Sequence, residues 1–152
     1  MDPALVRHYF ASKEGLLREA VTFPVDPAVL IAHVLAEGPA SAGHRLAAAV
    51  AEIVADDDRA ALLTAMLRAA ATEAEGARLV RDTVTTAVLM PLAEALDVDR
   101  PQLRAALVAS QVVGYTLAAR VVALEPLQGL TTDQVARALG PTLQRYLTEP
   151  LD

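Results

Sequence analysis

Val6-Arg7-His8-Tyr9-Phe10-Ala11-Ser12-Lys13-Glu14-Gly15-Leu16-Leu17 is the stretch on which the fold turns. Asp2 and Pro3, just ahead of it, suit a helix start: Asp2 as cap, and Pro3 in the first turn, where its missing N–H is not needed. Leu5, Val6, Tyr9 and Phe10 follow at helical spacing. Ser12 opens a second helix with Lys13 and Glu14 in its first turn, and Leu16, Leu17, Ala20 and Val21 give that helix an apolar face. Two short helices joined by a tight turn are predicted over residues 2–21.

Outward from this stretch the punctuation is all helical. Phe23-Pro24-Val25-Asp26-Pro27 ends the Ser12 helix and caps the next, which runs to Glu37 and stops at Gly38-Pro39. Ser41 starts a helix through Ala55, with Leu46, Val50, Ile53 and Val54 inward. Asp56-Asp57-Asp58 caps another, with Leu62, Leu63, Met66, Leu67 and Ala70 inward. A longer helix is predicted over 75–96 and kinked by Pro91, which removes one backbone hydrogen bond. Asp99 and Pro101 open a helix to Leu124 that is apolar nearly all round, as expected of a helix covered on more than one side. Thr131 and Gln134 form a capping box at the head of the last helix, which carries Val135, Leu139, Leu143 and Tyr146 on one face. Gly140-Pro141 is expected to bend or interrupt it. The fold class is all-α, with about eight helices.

Composition bounds the function. The chain has 152 residues, is 54% hydrophobic, much of it Ala, and carries a net charge of −6. That charge argues against non-specific nucleic-acid binding by the bulk of the chain. There are no cysteines, which excludes disulfides, thiolate catalysis and Cys-based metal sites. No signal peptide is visible, and the least polar segment, 105–119, is too short to span a bilayer. A cytoplasmic protein with no membrane association is expected. No Gly-rich phosphate loop or nucleophile elbow occurs, Ser41 and Ser110 have no triad partners, and paired carboxylates on one apolar face are missing. An enzyme is not expected, and no cofactor.

The Phe10-to-Leu17 pattern, F-x-S-K-E-x-L-L, resembles the end of the recognition helix and the start of the next helix in tetracycline-repressor (TetR) type transcriptional regulators. Looser similarity runs through Gln111 to Gly114, Ala118 to Arg120 and Thr142 to Leu147. The family usually has His where Tyr9 stands and often Tyr where Arg7 stands. The resemblance implies a remnant of the DNA-binding domain over 1–22 and a ligand-binding and dimerisation domain over 23–152. Two further helices would precede Met1 in the family, so the helix-turn-helix is expected to be incomplete, with a DNA operator as partner only when those helices are present. It further implies a ligand-responsive regulator, a repressor, working as a homodimer on a small apolar or amphipathic ligand. The alternative is a dimeric sensor that does not bind DNA, or an inactive dimerisation partner of a full-length relative.

Arg7, His8, Tyr9 and Lys13 are the candidates for DNA contact. Arg7 suits a guanine edge, and Lys13 a phosphate. A pocket needs apolar walls with a few placed polar groups; the residues that would supply these are His33, Met66, Thr83, Thr86, Met90, Gln111, Tyr115 and Thr116. Met66 and Met90 serve equally as core fillers, and Tyr115 as part of a dimer seam. For that seam, Gly114, Ala118, Val121, Leu139, Leu143 and Tyr146 are predicted, because the last two long helices hold more apolar surface than one subunit covers. His33 and Glu37 share a helix face and offer two metal ligands, but no third is in sight, so a capping or core histidine is the simpler assignment. His44 is expected on the surface. The three aspartates lack the spacing of a calcium loop and suit a solvated turn. No metal is expected.

Overall fold

The computed structural model describes residues 23–152. The two helices predicted over 2–21, and with them Arg7, His8, Tyr9 and Lys13, lie outside the described residues. Among the described residues every regular element is helical, as the periodicity predicts.

Helix α1, Pro27–Leu35, starts where Asp26 accepts a 2.9 Å hydrogen bond from the Ala28 N–H. It ends before Glu37, and Gly38 turns the chain at φ 85° into a single 3-10 turn, Pro39–Ser41. Helix α2, Ala42–Ala55, follows at once. Asp56 then caps α3, Asp57–Thr72, by accepting from the Arg59 N–H at 2.9 Å. That backbone hydrogen bond is the main reason the Asp56 carboxyl titrates below its ordinary range.

The helix predicted over 75–96 is α4, Ala74–Val84, a wide π turn, Thr85–Leu89, and α5, Met90–Leu96. The wide turn lies directly ahead of Pro91. In a regular helix the proline ring would collide with the Ala87 carbonyl, and loosening the turn is one way to carry a proline inside a helix. Helix α6, Pro101–Thr116, runs into a second π turn, Leu117–Val121. It stops short of Leu124 because Ala123 takes a left-handed φ of 57° and the Leu124 N–H reaches back to the Ala118 carbonyl at 2.9 Å. A short α7, Glu125–Gln128, leads to α8, Thr132–Thr148. The Thr131–Gln134 capping box is formed on both sides. Gly140-Pro141 does not interrupt α8, which runs unbroken through both residues.

Helix α2 is the centre of the fold. It is covered nearly all round, and its most extensive contact is with α8. At Gly43 the two backbones meet without an intervening side chain, and at Gly140 the α8 backbone meets the His44 ring. A Cβ on Gly43 would lie 2.2 Å from the Gln144 backbone nitrogen, and one on Gly140 2.5 Å from the His44 ring. Gln144 sews the crossing together: its side-chain oxygen accepts from the Gly43 N–H at 2.7 Å, and its amide nitrogen donates to the Pro39 carbonyl at 2.8 Å. Around this crossing Val34, Leu46, Val50, Val54, Leu143 and Leu147 form the core. Helices α3 and α4 pack as a hairpin, with α3 also touching α2 and α6, and α5 bridges α6 and α8. Of the residues predicted inward on α3, Met66 is buried and Leu63 and Leu67 are half-buried, but Leu62 is exposed, at the edge of that apolar stripe.

The far end of α8 is tied by Arg104, which is almost fully buried. The Tyr146 carbonyl would normally bond the N–H four residues on, but that residue is Pro150, which has none. Arg104 donates to the Tyr146 carbonyl instead, at 2.8 Å, and its other nitrogens bond the Asp99 carboxylate and carbonyl. The hydrogen bond from Arg104 is the main cause holding the Asp99 carboxyl below its ordinary range.

Two outcomes follow from this packing. Gly43→Ala should lower stability by roughly 1–3 kcal/mol, the usual cost of overpacking, as a lower midpoint in thermal denaturation followed by circular dichroism. Because Asp99 has a depressed folded-state pKa, its contribution to stability is complete above the ordinary carboxylate pKa and is lost as pH falls through the folded value. Denaturant midpoints measured across the acid range should therefore fall less steeply in Asp99→Asn than in the unsubstituted chain.

Candidate ligand pocket and dimer face

Between α1, α2, α3 and α6, closed by the π turn ahead of α5, lies a cavity of about 120 Å³. Leu46 and Val50 line it from α2, Met66 from α3, Val88 from the π turn, and Val108 and Val112 from α6. Every described residue on its wall is apolar. Leu, Val and Met side chains from neighbouring helices meet around it without filling the space between them.

Of the eight pocket candidates, only Met66 lines this cavity. The polar ones go elsewhere, each for a local reason. Thr116 is fully buried, but its hydroxyl is spent on the Val112 carbonyl one turn back, at 2.8 Å. The Thr86 hydroxyl does the same with the Asp82 carbonyl and is exposed. Thr83, Met90 and Gln111 are half-buried on their helices and do not reach the cavity wall. Tyr115 lines a different pocket beside α7, where burial pushes its hydroxyl pKa up. The apolar wall residues were missed as a site because runs of Leu and Val signal core, and a cavity within a core has no sequence mark of its own.

His33 is exposed, and the space between it and Glu37 is already taken by a cation. Arg45 donates to the His33 carbonyl at 2.6 Å and to the Glu37 carboxylate at 2.6 Å. Among the described residues no group of three His, Cys, Asp or Glu side chains is placed to hold a metal ion. His44 is exposed, as expected, and its ring lies over Gly140.

The residues predicted for a seam divide into two sets. Gly114 is exposed with open space above it, Val121 is 44% exposed and Ala118 is half-buried. Leu143, by contrast, is 1% exposed and sits in the core of its own chain. Its assignment to a seam is corrected: its side chain is used up against α2. Leu139 and Tyr146 also pack on that core and are half-buried. The outward face of α8 is instead Gln134, Ala138, Pro141 and Arg145, all exposed. Along α6 and the π turn after it, Leu103, Leu107, Ser110, Gly114, Leu117 and Val121 recur at alternating intervals of four and three, the spacing of a helix–helix seam; all but the half-buried Leu107 are exposed, and all but Ser110 are apolar or glycine.

The described residues thus form an all-helical domain built round a central helix, with a small apolar cavity inside and exposed apolar residues along α6 and the π turn after it. Residues 27–147 match the family model described as the tetracyclin repressor-like C-terminal domain, so this chain belongs to the TetR-type regulators. Such regulators are generally not enzymes. No curated protein and no solved structure matches the chain. Among the described residues no helix is long and apolar enough to cross a membrane.

Met66 closes the cavity from the α3 side, so Met66→Ala should enlarge it. The expected loss is about 2–5 kcal/mol, read as a lower denaturant midpoint.

Proposed function

We propose that this chain is the sensing and dimerising part of a TetR-type repressor, and that its effector is a small apolar or amphipathic molecule held in the central cavity. The observation that carries this is the cavity itself, walled by Leu, Val and Met between α2, α3 and α6, inside a domain the family model covers. An effector larger than about a few heavy atoms must spread α3 and α4 away from α2 to enter, because interiors are otherwise packed to crystal-like density. Binding therefore selects a slightly opened state, and the effector acts only through its preference for that state.

The chain works as a homodimer through the apolar stripe of α6, with the outward face of α8 beside it. Support comes from the heptad spacing, the open surface over Gly114, and the exposure of Leu103, Leu117 and Val121. In this scheme residues 1–22 belong to the DNA-binding region, with Arg7, His8, Tyr9 and Lys13 facing DNA, and opening of the domain changes how two such regions are spaced on an operator.

Sedimentation and thermal-shift measurements test this together. The unsubstituted chain should sediment as a dimer, and Gly114→Glu combined with Leu117→Glu as a monomer of unchanged helix content. Hydrophobic compounds from a small-molecule panel should raise the melting temperature, and Val108→Phe, which crowds the cavity, should cancel that rise. A monomer at all concentrations would reject the seam. A rise given by uncharged compounds that survives Val108→Phe would reject the cavity as the effector site. A gel shift with DNA flanking the gene, reversed by a compound that stabilises the domain, is expected of the repressor; no shift on any fragment would favour a sensor that works without DNA.

A further inference from the structure

A second pocket, of about 340 Å³, lies at the opposite end of α6 from its start, between the C-terminal end of α2, the π turn, α7 and the first turn of α8. It shares no described lining residue with the central cavity. Val54 from α2, Ala119 from the π turn, Leu127 from α7 and Val135 from α8 are its apolar lining, and polar atoms make up the larger share of the wall. Four polar side chains line it, Tyr115, Arg120, Gln128 and Thr132, and the first two have hydrogen-bond donors to spare. The Tyr115 hydroxyl has no hydrogen-bond partner among the described residues. Arg120 donates from one terminal nitrogen to Asp57 at 2.6 Å, while its Nε and other terminal nitrogen have none. The Arg120 side chain is two-thirds covered, whereas Asp57 is 89% exposed, so the counter-charge sits in water; Arg120 lines both this pocket and a shallower hollow over Ala60, Thr64 and Arg68.

The backbone explains how these two groups share a wall. A regular helix turns 100° per residue, which would set residues five apart on faces about 140° from one another. The π turn Leu117–Val121 falls between them, with the Val122 N–H bonded five residues back to the Leu117 carbonyl at 2.8 Å. Its wider winding swings Arg120 back toward the side that carries Tyr115. Single π turns inside helices are frequent at functional sites for this kind of re-aiming.

We propose that this pocket is a second small-molecule site, which takes an amphipathic carboxylate. The carboxylate lies between the Arg120 guanidinium, whose fork matches its two oxygens, and the Tyr115 hydroxyl, and the hydrocarbon part lies on Val54, Leu127 and Val135. The volume falls in the range of small-molecule sites, and the mix of apolar lining residues with a few convergent polar groups is what such sites require. Burial already raises the Tyr115 pKa, so the phenol keeps its proton and acts as a donor toward the anion. This site stands independently of the effector assigned to the central cavity.

Isothermal titration calorimetry of the full chain with octanoate tests it, with 1-octanol as the uncharged match. Octanoate should bind with one site per chain. Arg120→Gln should weaken it at least tenfold and Tyr115→Phe severalfold. Asp57→Asn breaks the same ion pair but frees the guanidinium, and should leave affinity unchanged or improved. Val108→Phe, in the central cavity, should not affect it. The proposal is overturned if octanoate does not bind at millimolar concentration, if it binds no better than 1-octanol in the chain carrying Val108→Phe, or if Arg120→Gln leaves its affinity intact. It is equally overturned if Val108→Phe abolishes octanoate binding, which would place the anion in the central cavity. Should Arg120→Gln fail to fold, the Tyr115→Phe and Asp57→Asn comparison decides alone: equal affinity in unsubstituted chain and Tyr115→Phe rejects the site.

Discussion

Backbone touches backbone where α2 crosses α8, and the rest of the structure depends on that contact. Gly43 and Gly140 leave no room for a methyl group, so the two helices approach more closely than side chains elsewhere allow. Close approach brings the Gln144 amide within reach of both the Gly43 N–H and the Pro39 carbonyl. The Gly43 N–H lies in the first turn of α2, where it would otherwise lack a partner, while the Pro39 carbonyl also accepts from the Ala42 N–H. One side chain thus satisfies the head of α2 and fixes its register on α8. With that pair set, the other faces of α2 are left for α1 and α3, and the central cavity forms on the side away from α8.

Helix α6 has the opposite problem. It carries apolar residues on two sides, and one subunit covers only one of them. Val108, Thr116 and Ala119 face inward and are buried, while Leu103, Leu117 and Val121 face out. Its π turn, Leu117–Val121, re-aims Arg120 and also carries Leu117 and Val121, the last two residues of the outward stripe. The same helix therefore borders the central cavity near its middle, the second pocket near its end, and the outward stripe along its length. Any molecule entering either pocket presses on the element that carries the stripe.

Much of this was legible from residue types. Asp26, Asp56 and the Thr131–Gln134 box cap the helices they were expected to cap, because capping is a local interaction that a few neighbouring residues decide. The inward residues of α2 were legible from periodicity. The division of α8 was not. Its one strongly apolar face was assigned to a partner chain, but a helix with a single such face gives it to its own core, and Leu143 is buried there. The two π turns had no signal beyond Pro91, and Gly140-Pro141 suggested a break because the crossing that holds α8 straight is a tertiary contact. The polar pocket candidates lie off the central cavity for a related reason. A threonine on a helix satisfies its hydroxyl on the carbonyl one turn back, as Thr86 and Thr116 do, and so needs no ligand.

The crossing of α2 and α8 also sets an order of events during synthesis. Gly43 and Gln144 stand a hundred and one positions apart, so the central helix waits for almost the whole chain to leave the ribosome before it finds its mate. The α3–α4 hairpin is made of near neighbours and has no such delay, since short loops close fast and long ones slowly. Nascent chains therefore carry a greasy, uncovered α2 beside an already assembled hairpin.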